Sequence, residues 1–181
     1  MTEIRVNVFN LTPLNKVLSF AKIGVYHTSV VIGNKYEYYY GFAREGITGI
    51  DEPEVLHCLP SSMAGTFHSH YIMGECQLSI KECKDIVRQF KRSPTWMSEE
   101  YQVLYHNCNH FSYELCEVLL GVNNMSNYPS WVTRGEIVGR IIYSVSLSHF
   151  LGFVKNIPGI GYEKETAKPI LEQSENLVEE I

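Results

Sequence analysis

No Cys-x-x-C pair occurs in this 181-residue chain, although it holds five cysteines, at positions 58, 76, 83, 108 and 116. An odd count without that spacing argues against a disulfide framework. The first residues, Met1 to Asn10, lack a basic stretch followed by an apolar run, so a secretory leader is not expected. Free thiols then fit a reducing compartment, cytoplasmic and compatible with a nuclear pool. Positive charge is also scarce. Fifteen Lys and Arg face twenty Asp and Glu, for a net charge of -5, so no nucleic-acid partner is expected. No internal repeat is visible. The one long apolar run, residues 136–154, is broken by Arg140, His149 and three serines. An arginine near a bilayer centre costs ~2.5–3.5 kcal/mol. We therefore expect no integral membrane span there, but a packed or surface-lying amphipathic helix.

What is present reads as mixed α and β. Residues 4–11 alternate and are rich in β-branched side chains, which predicts a strand. Two β-rich runs, GVYHTSVVI and KYEYYYG, flank Gly33-Asn34 and predict a hairpin. A two-residue turn would pair Val30 with Glu37, and a three-residue turn would pair Val31 with Glu37. That single residue decides which sheet face Glu37 shares. Residues 43–55 read as turn and loop, and 66–74 as a further strand. Ser79 and Glu82 form a capping box ahead of a helix whose apolar face holds Ile80, Cys83, Ile86, Val87 and Phe90. Ser93-Pro94 ends it. YQVLYH, residues 101–106, reads as a short strand or extended lead-in. A second helix follows, with Phe111, Leu115, Val118 and Leu119 at helical spacing and Gly121 as its stop.

Cys83 and Cys116 fit the ordinary role of cysteine as a small buried hydrophobe. Cys108 differs. Asn107 is a good N-cap residue, which would place Cys108 at the first helical position. There the positive end of the helix dipole favours a thiolate, and free amides could hold an oxyanion. A cysteine nucleophile needs a base, usually histidine. Seven are available, and spacing alone does not choose among them. His106 precedes the cap, and His110 lies on a different helix face. His27 is held in the predicted hairpin. His68 and His70 share one face of a predicted strand. Together with His106, Cys108 and His110 they could make a soft zinc set. The spacing lacks CxxC or HxxxH, however, so no metal or other cofactor is expected.

GVYHTSVVI, YEYYYG and the downstream HNCNHFSYELCEVLLG resemble the PPPDE family of thiol peptidases, which includes the desumoylating isopeptidases. The likeness runs over roughly residues 4–135 and is nearer the second desumoylating subgroup. It implies an α+β, permuted papain-like fold: a small antiparallel sheet or barrel packed on several helices, with the nucleophile at a capped helix start. By this resemblance the catalytic histidine falls on His27 and the nucleophile on Cys108. The oxyanion would be held by the Cys108 backbone N–H and by Gln102, which stands six residues earlier as the papain-like glutamine does. Asn107 and Asn109 support the site. A third residue orienting His27 is left open, Glu37 being the one candidate. The implied organisation is a catalytic domain over 1–135, an apolar helix over 136–160 and an acidic tail over 161–181. The implied activity is hydrolysis of peptide or isopeptide bonds in conjugates of ubiquitin-like modifiers, SUMO or ubiquitin. A protein thioesterase using the same dyad and a catalytically silent adaptor are the alternatives. A homodimer is compatible with all of these readings.

Overall fold

The computed structural model describes residues 1–12, 15, 24–53, 56–59 and 65–137. These fall within a compact unit, Met1–Ile137. The apolar helix and acidic tail expected beyond it lie outside the described residues.

Five strands form one antiparallel sheet: β1 (Thr2–Asn10), β2 (Tyr26–Ile32), β3 (Tyr36–Tyr40), β4 (Ile50–Asp51) and β5 (Thr66–Cys76), in the order β4-β3-β2-β1-β5. Among the described residues, the helices that follow include α1 (Ile80–Arg92) and α2 (Cys108–Leu120). The class is α+β, as expected. β2 lies in the middle of the sheet, and all seven of its residues are buried.

Side chains alternate across a strand, so the sheet has two chemically different faces. One carries Ile4, Val6 and Val8 of β1, Val30 and Ile32 of β2, and Tyr38 and Tyr40 of β3. These join Cys83 and Val87 of α1 and Phe111, Leu115 and Cys116 of α2 in the hydrophobic core. The other face carries Asn7, Phe9, His27, Ser29 and Glu37, all buried.

The hairpin closes through three residues, Gly33, Asn34 and Lys35, and pairs Val31 with Glu37. Glu37 therefore shares the face of His27. Gly33 and Asn34 both have positive φ, 59° and 54°. A Cβ on Gly33 would also lie 2.8 Å from Cδ1 of Ile80, because the turn tucks beneath the start of α1. The Ser79–Glu82 capping box is formed.

Four local readings are corrected. The loop after β3 contains the two-residue strand β4, too short to show alternation. Residues 101–106 form a turn closed by Gln102 and His106, which exchange backbone bonds of 2.8 and 2.9 Å. Val118 is 51% exposed and leaves the packed face of α2. A register shift in β5 near Phe67–Ser69 separates His68 from His70. His68 packs on Tyr26 and Trp131, whereas His70 pairs with Asn7.

Candidate active site

Asn107 begins the site. Its Oδ1 accepts from the N–H groups of Asn109 at 2.8 Å and His110 at 3.4 Å, and its Nδ2 donates to Val103 O at 2.7 Å. The orphan amides of the first turn are thus partly satisfied by a side chain, as helix starts require. Cys108 is the first helical residue.

The α2 start is fastened to β2 by Thr28. Its hydroxyl lies 3.2 Å from Cys108 O, 2.9 Å from Asn109 Oδ1 and 3.0 Å from Ser112 Oγ. β3 pairs with β2 only over Val30–Ile32, which leaves the strand edge open at Thr28. The Cys108 thiol lies 3.8 Å from Asn109 Oδ1, and the Thr28 amide and the Tyr101 hydroxyl both favour its ionised form. Asn109 donates through Nδ2 to Glu136 Oε1 at 2.5 Å, and its carbonyl accepts from the Tyr128 hydroxyl at 2.8 Å. Cys108, Asn107 and Asn109 are all buried.

Burial dominates the electrostatics. It pushes the Cys108 thiol up to about 12. The Thr28 amide opposes this shift, and the Glu136 carboxylate reinforces it. The expected dipole-stabilised thiolate is therefore not the resting state, because loss of solvation outweighs a helix-end effect of typically 0.3–1 kcal/mol. Burial also lowers His27 to about 4. At neutral pH the resting pair is thiol and neutral imidazole.

His27 and Cys108 are not joined by a hydrogen bond. Thr28 faces α2, so His27, one residue earlier, projects from the opposite face. There its ring lies 6.2 Å from Phe9 and 5.6 Å from Tyr39, centroid to centroid. Both ring nitrogens are buried without a partner among the described residues. Glu37, on the same face, is occupied elsewhere. It accepts from Asn7 Nδ2 at 2.8 Å, from His57 N at 2.6 Å and from the Ser29 hydroxyl. Gln102 is half-buried and lines a hollow of about 350 Å³ with Pro94, Thr95, Glu100 and His106.

The residues of the zinc alternative are dispersed. His106 stacks on Trp96 and contacts Glu100 O, and His110 belongs to the helix cap. Among the described residues, no three His, Cys, Asp or Glu converge as a metal would need.

Sequence reasoning missed Thr28, Tyr101, Tyr128 and Glu136. Thr28 alone carried a signal, as the residue beside His27 in GVYHTSV. The other three lie 7, 20 and 28 positions from Cys108, with no periodic link to it.

The chain matches the family model described as "PPPDE putative peptidase domain" over residues 2–149. It is 29% identical over 139 residues to a DeSI-like protein of Arabidopsis thaliana, covering 77% of this chain and 57% of that one. It is 24% identical over 133 residues to a desumoylating isopeptidase 1 homolog of Caenorhabditis elegans, covering 74% and 38%. It is 31% identical over 112 residues to desumoylating isopeptidase 1 of Xenopus laevis, covering 61% and 57%. The chain thus spans about half the length, or less, of these relatives. A family match over residues 2–149, on an α+β fold that starts a capped helix at Cys108, shows that the chain belongs to the PPPDE peptidase family.

Proposed function

We propose that this chain is a cysteine isopeptidase that cleaves SUMO conjugates, with Cys108 as nucleophile and His27 as its proton partner. The observation that carries the reading is the helix start itself. Cys108 stands at the first position of a capped helix, and the Thr28 hydroxyl of β2 ties that helix start to the sheet. The names of the desumoylating relatives supply the substrate class.

Thr28, which ties the start of α2 to β2, is the next residue after His27. The reading requires the imidazole, which packs against Phe9 and Tyr39 across the strand, to reach the thiol during turnover. His27 then takes the thiol proton as sulfur adds to the carbonyl carbon, and later gives that proton to the leaving amine. Water cleaves the thioester, again with His27 as base. Asn107 and Asn109 hold the nucleophile turn, the first through the cap and the second through Thr28 and Glu136.

The test is cleavage of a purified SUMO–lysine isopeptide conjugate. Wild type should release free SUMO, and Cys108→Ser and His27→Ala should each lose at least ~10³-fold in rate, as removal of a nucleophile or its base does. Cleavage by Cys108→Ser would defeat the reading. A wild type that ignores the isopeptide but hydrolyses an S-acylated peptide would establish the thioesterase alternative instead.

A further inference from the structure

Glu100, Gln102 and His106, with Pro94 and Thr95, wall the hollow of about 350 Å³. That volume lies at the low end of ligand sites, ~300–1,000 Å³, and suits one side chain. Glu100 is the one acidic residue of the lining, which contains no Lys or Arg. Its carboxylate forms no ion pair with a described residue. Lys91, three residues before Pro94, pairs at 3.5 Å with Glu52 instead.

The other polar groups of the lining also suit a donor. His106 Nδ1 lies 3.0 Å from Glu100 O. A carbonyl only accepts, so Nδ1 carries hydrogen, and in the neutral imidazole Nε2 is then an acceptor. The His106 ring stacks on buried Trp96, centroids 4.5 Å apart, which fixes this wall. Gln102 has an amide oxygen, and Pro94 an apolar surface for the methylenes of a long cationic side chain. The hollow is also tied to the nucleophile. Gln102 and His106 close one turn through backbone bonds of 2.8 and 2.9 Å. Asn107 donates through Nδ2 to Val103 O of that turn at 2.7 Å, and through Oδ1 it caps the helix that starts at Cys108.

We propose that this hollow is a substrate subsite for the cationic side chain of an arginine or lysine in the conjugate, with Glu100 as the residue that selects it. The proposal rests on the reading of Cys108 as an isopeptidase nucleophile. The Glu100 carboxylate pairs with the cation through charge-assisted hydrogen bonds, and Gln102 and His106 supply further acceptors. The cation belongs either to the acceptor protein beside the conjugated lysine or to the last residues of the modifier.

Two sets of purified SUMO–peptide conjugates separate these sources. One places Arg, Gln or Glu beside the conjugated lysine of the peptide, and the other places them in the last residues of the modifier. In one of the sets, wild type should prefer Arg over Glu in kcat/KM by roughly five- to tenfold, the scale of a partly exposed ion pair gained against one repelled. The preference should lie in KM and fade at high salt. Glu100→Arg should invert the Arg-to-Glu ratio, which a merely structural role would not do. An unchanged ratio in Glu100→Arg would overturn the subsite, as would a wild type with no preference in either set. Binding of the same conjugates to Cys108→Ala, with and without Glu100→Arg, reads the subsite without turnover. A wild type that cleaves none of them would sink the nucleophile reading, while the binding ratio, inverted or not, would still decide for or against the subsite.

Discussion

His27→Leu should make the protein more stable and remove one component of its acid sensitivity. Both ring nitrogens of His27 are buried without a partner among the described residues, against the rings of Phe9 and Tyr39. A buried polar group left unpaired costs about 1–3 kcal/mol, so an apolar residue of similar bulk should recover part of that at neutral pH. The pH dependence follows from proton linkage. The unfolded chain protonates this imidazole near its ordinary value of 6.5, and the folded chain only near 4. Between those values the unfolded state binds more protons, so stability is complete above 6.5, falls with pH and stops falling below about 4. With 1.36 kcal/mol per unit of pKa, the wild type loses about 2 kcal/mol by pH 5 and about 3 kcal/mol by pH 4 from this group alone. Urea unfolding of wild type and His27→Leu at fixed pH between 8 and 4 measures the difference directly. The gap between the two curves should widen as pH falls. Parallel curves, constant within about 0.5 kcal/mol, would refute the burial of a neutral His27. A destabilised His27→Leu at pH 8 would refute the absence of a structural role.

Three further outcomes test the surroundings of the site. Thr28→Val keeps the shape but removes the hydroxyl that ties β2 to Cys108, Asn109 and Ser112; it should cost about 1–3 kcal/mol in urea unfolding and slow turnover, and no loss of stability would deny that anchor. Glu37→Leu should destabilise by about 3 kcal/mol or more, because Asn7, Ser29 and the His57 amide all lose their acceptor, while Glu37→Gln should recover part of that loss. In the resting protein iodoacetamide at pH 7.5 should label Cys58 first, since Cys58 is exposed and Cys76, Cys83, Cys108 and Cys116 are buried. Fast labelling of Cys108 without substrate would contradict a thiol pushed up to about 12.

The parts of the site legible in the sequence are those decided by neighbours in the chain. A hairpin turn, the Ser79 capping box and the Asn107 cap each depend on residues within about four positions, and all formed. The side of Glu37 was undecided because a two-residue and a three-residue turn differ by one position, and packing selected the longer. The β5 irregularity that parted His68 from His70 leaves no mark in an alternating sequence, because a bulge is settled against the partner strand. Gln102 has the papain-like spacing from Cys108, yet its backbone closes a turn with His106 and it lines a hollow with Pro94, Thr95, Glu100 and His106. The helix-start argument for a thiolate used a local dipole. The burial that overrides it comes from distant segments, β2 and the residues around Tyr128 and Glu136. The imidazole, placed on a central strand as a base should be, is rigidly framed by rings and lies across the strand from its proposed partner.

The most direct test of Cys108 as an isopeptidase nucleophile is covalent capture by SUMO and ubiquitin bearing a C-terminal propargyl or vinyl electrophile, read by intact mass and peptide mapping. With Cys108 as the proposed nucleophile, wild type should gain one SUMO mass, mapped to that residue, and Cys108→Ala should gain none. Capture that persists in Cys108→Ala, or maps to exposed Cys58, would contradict the account.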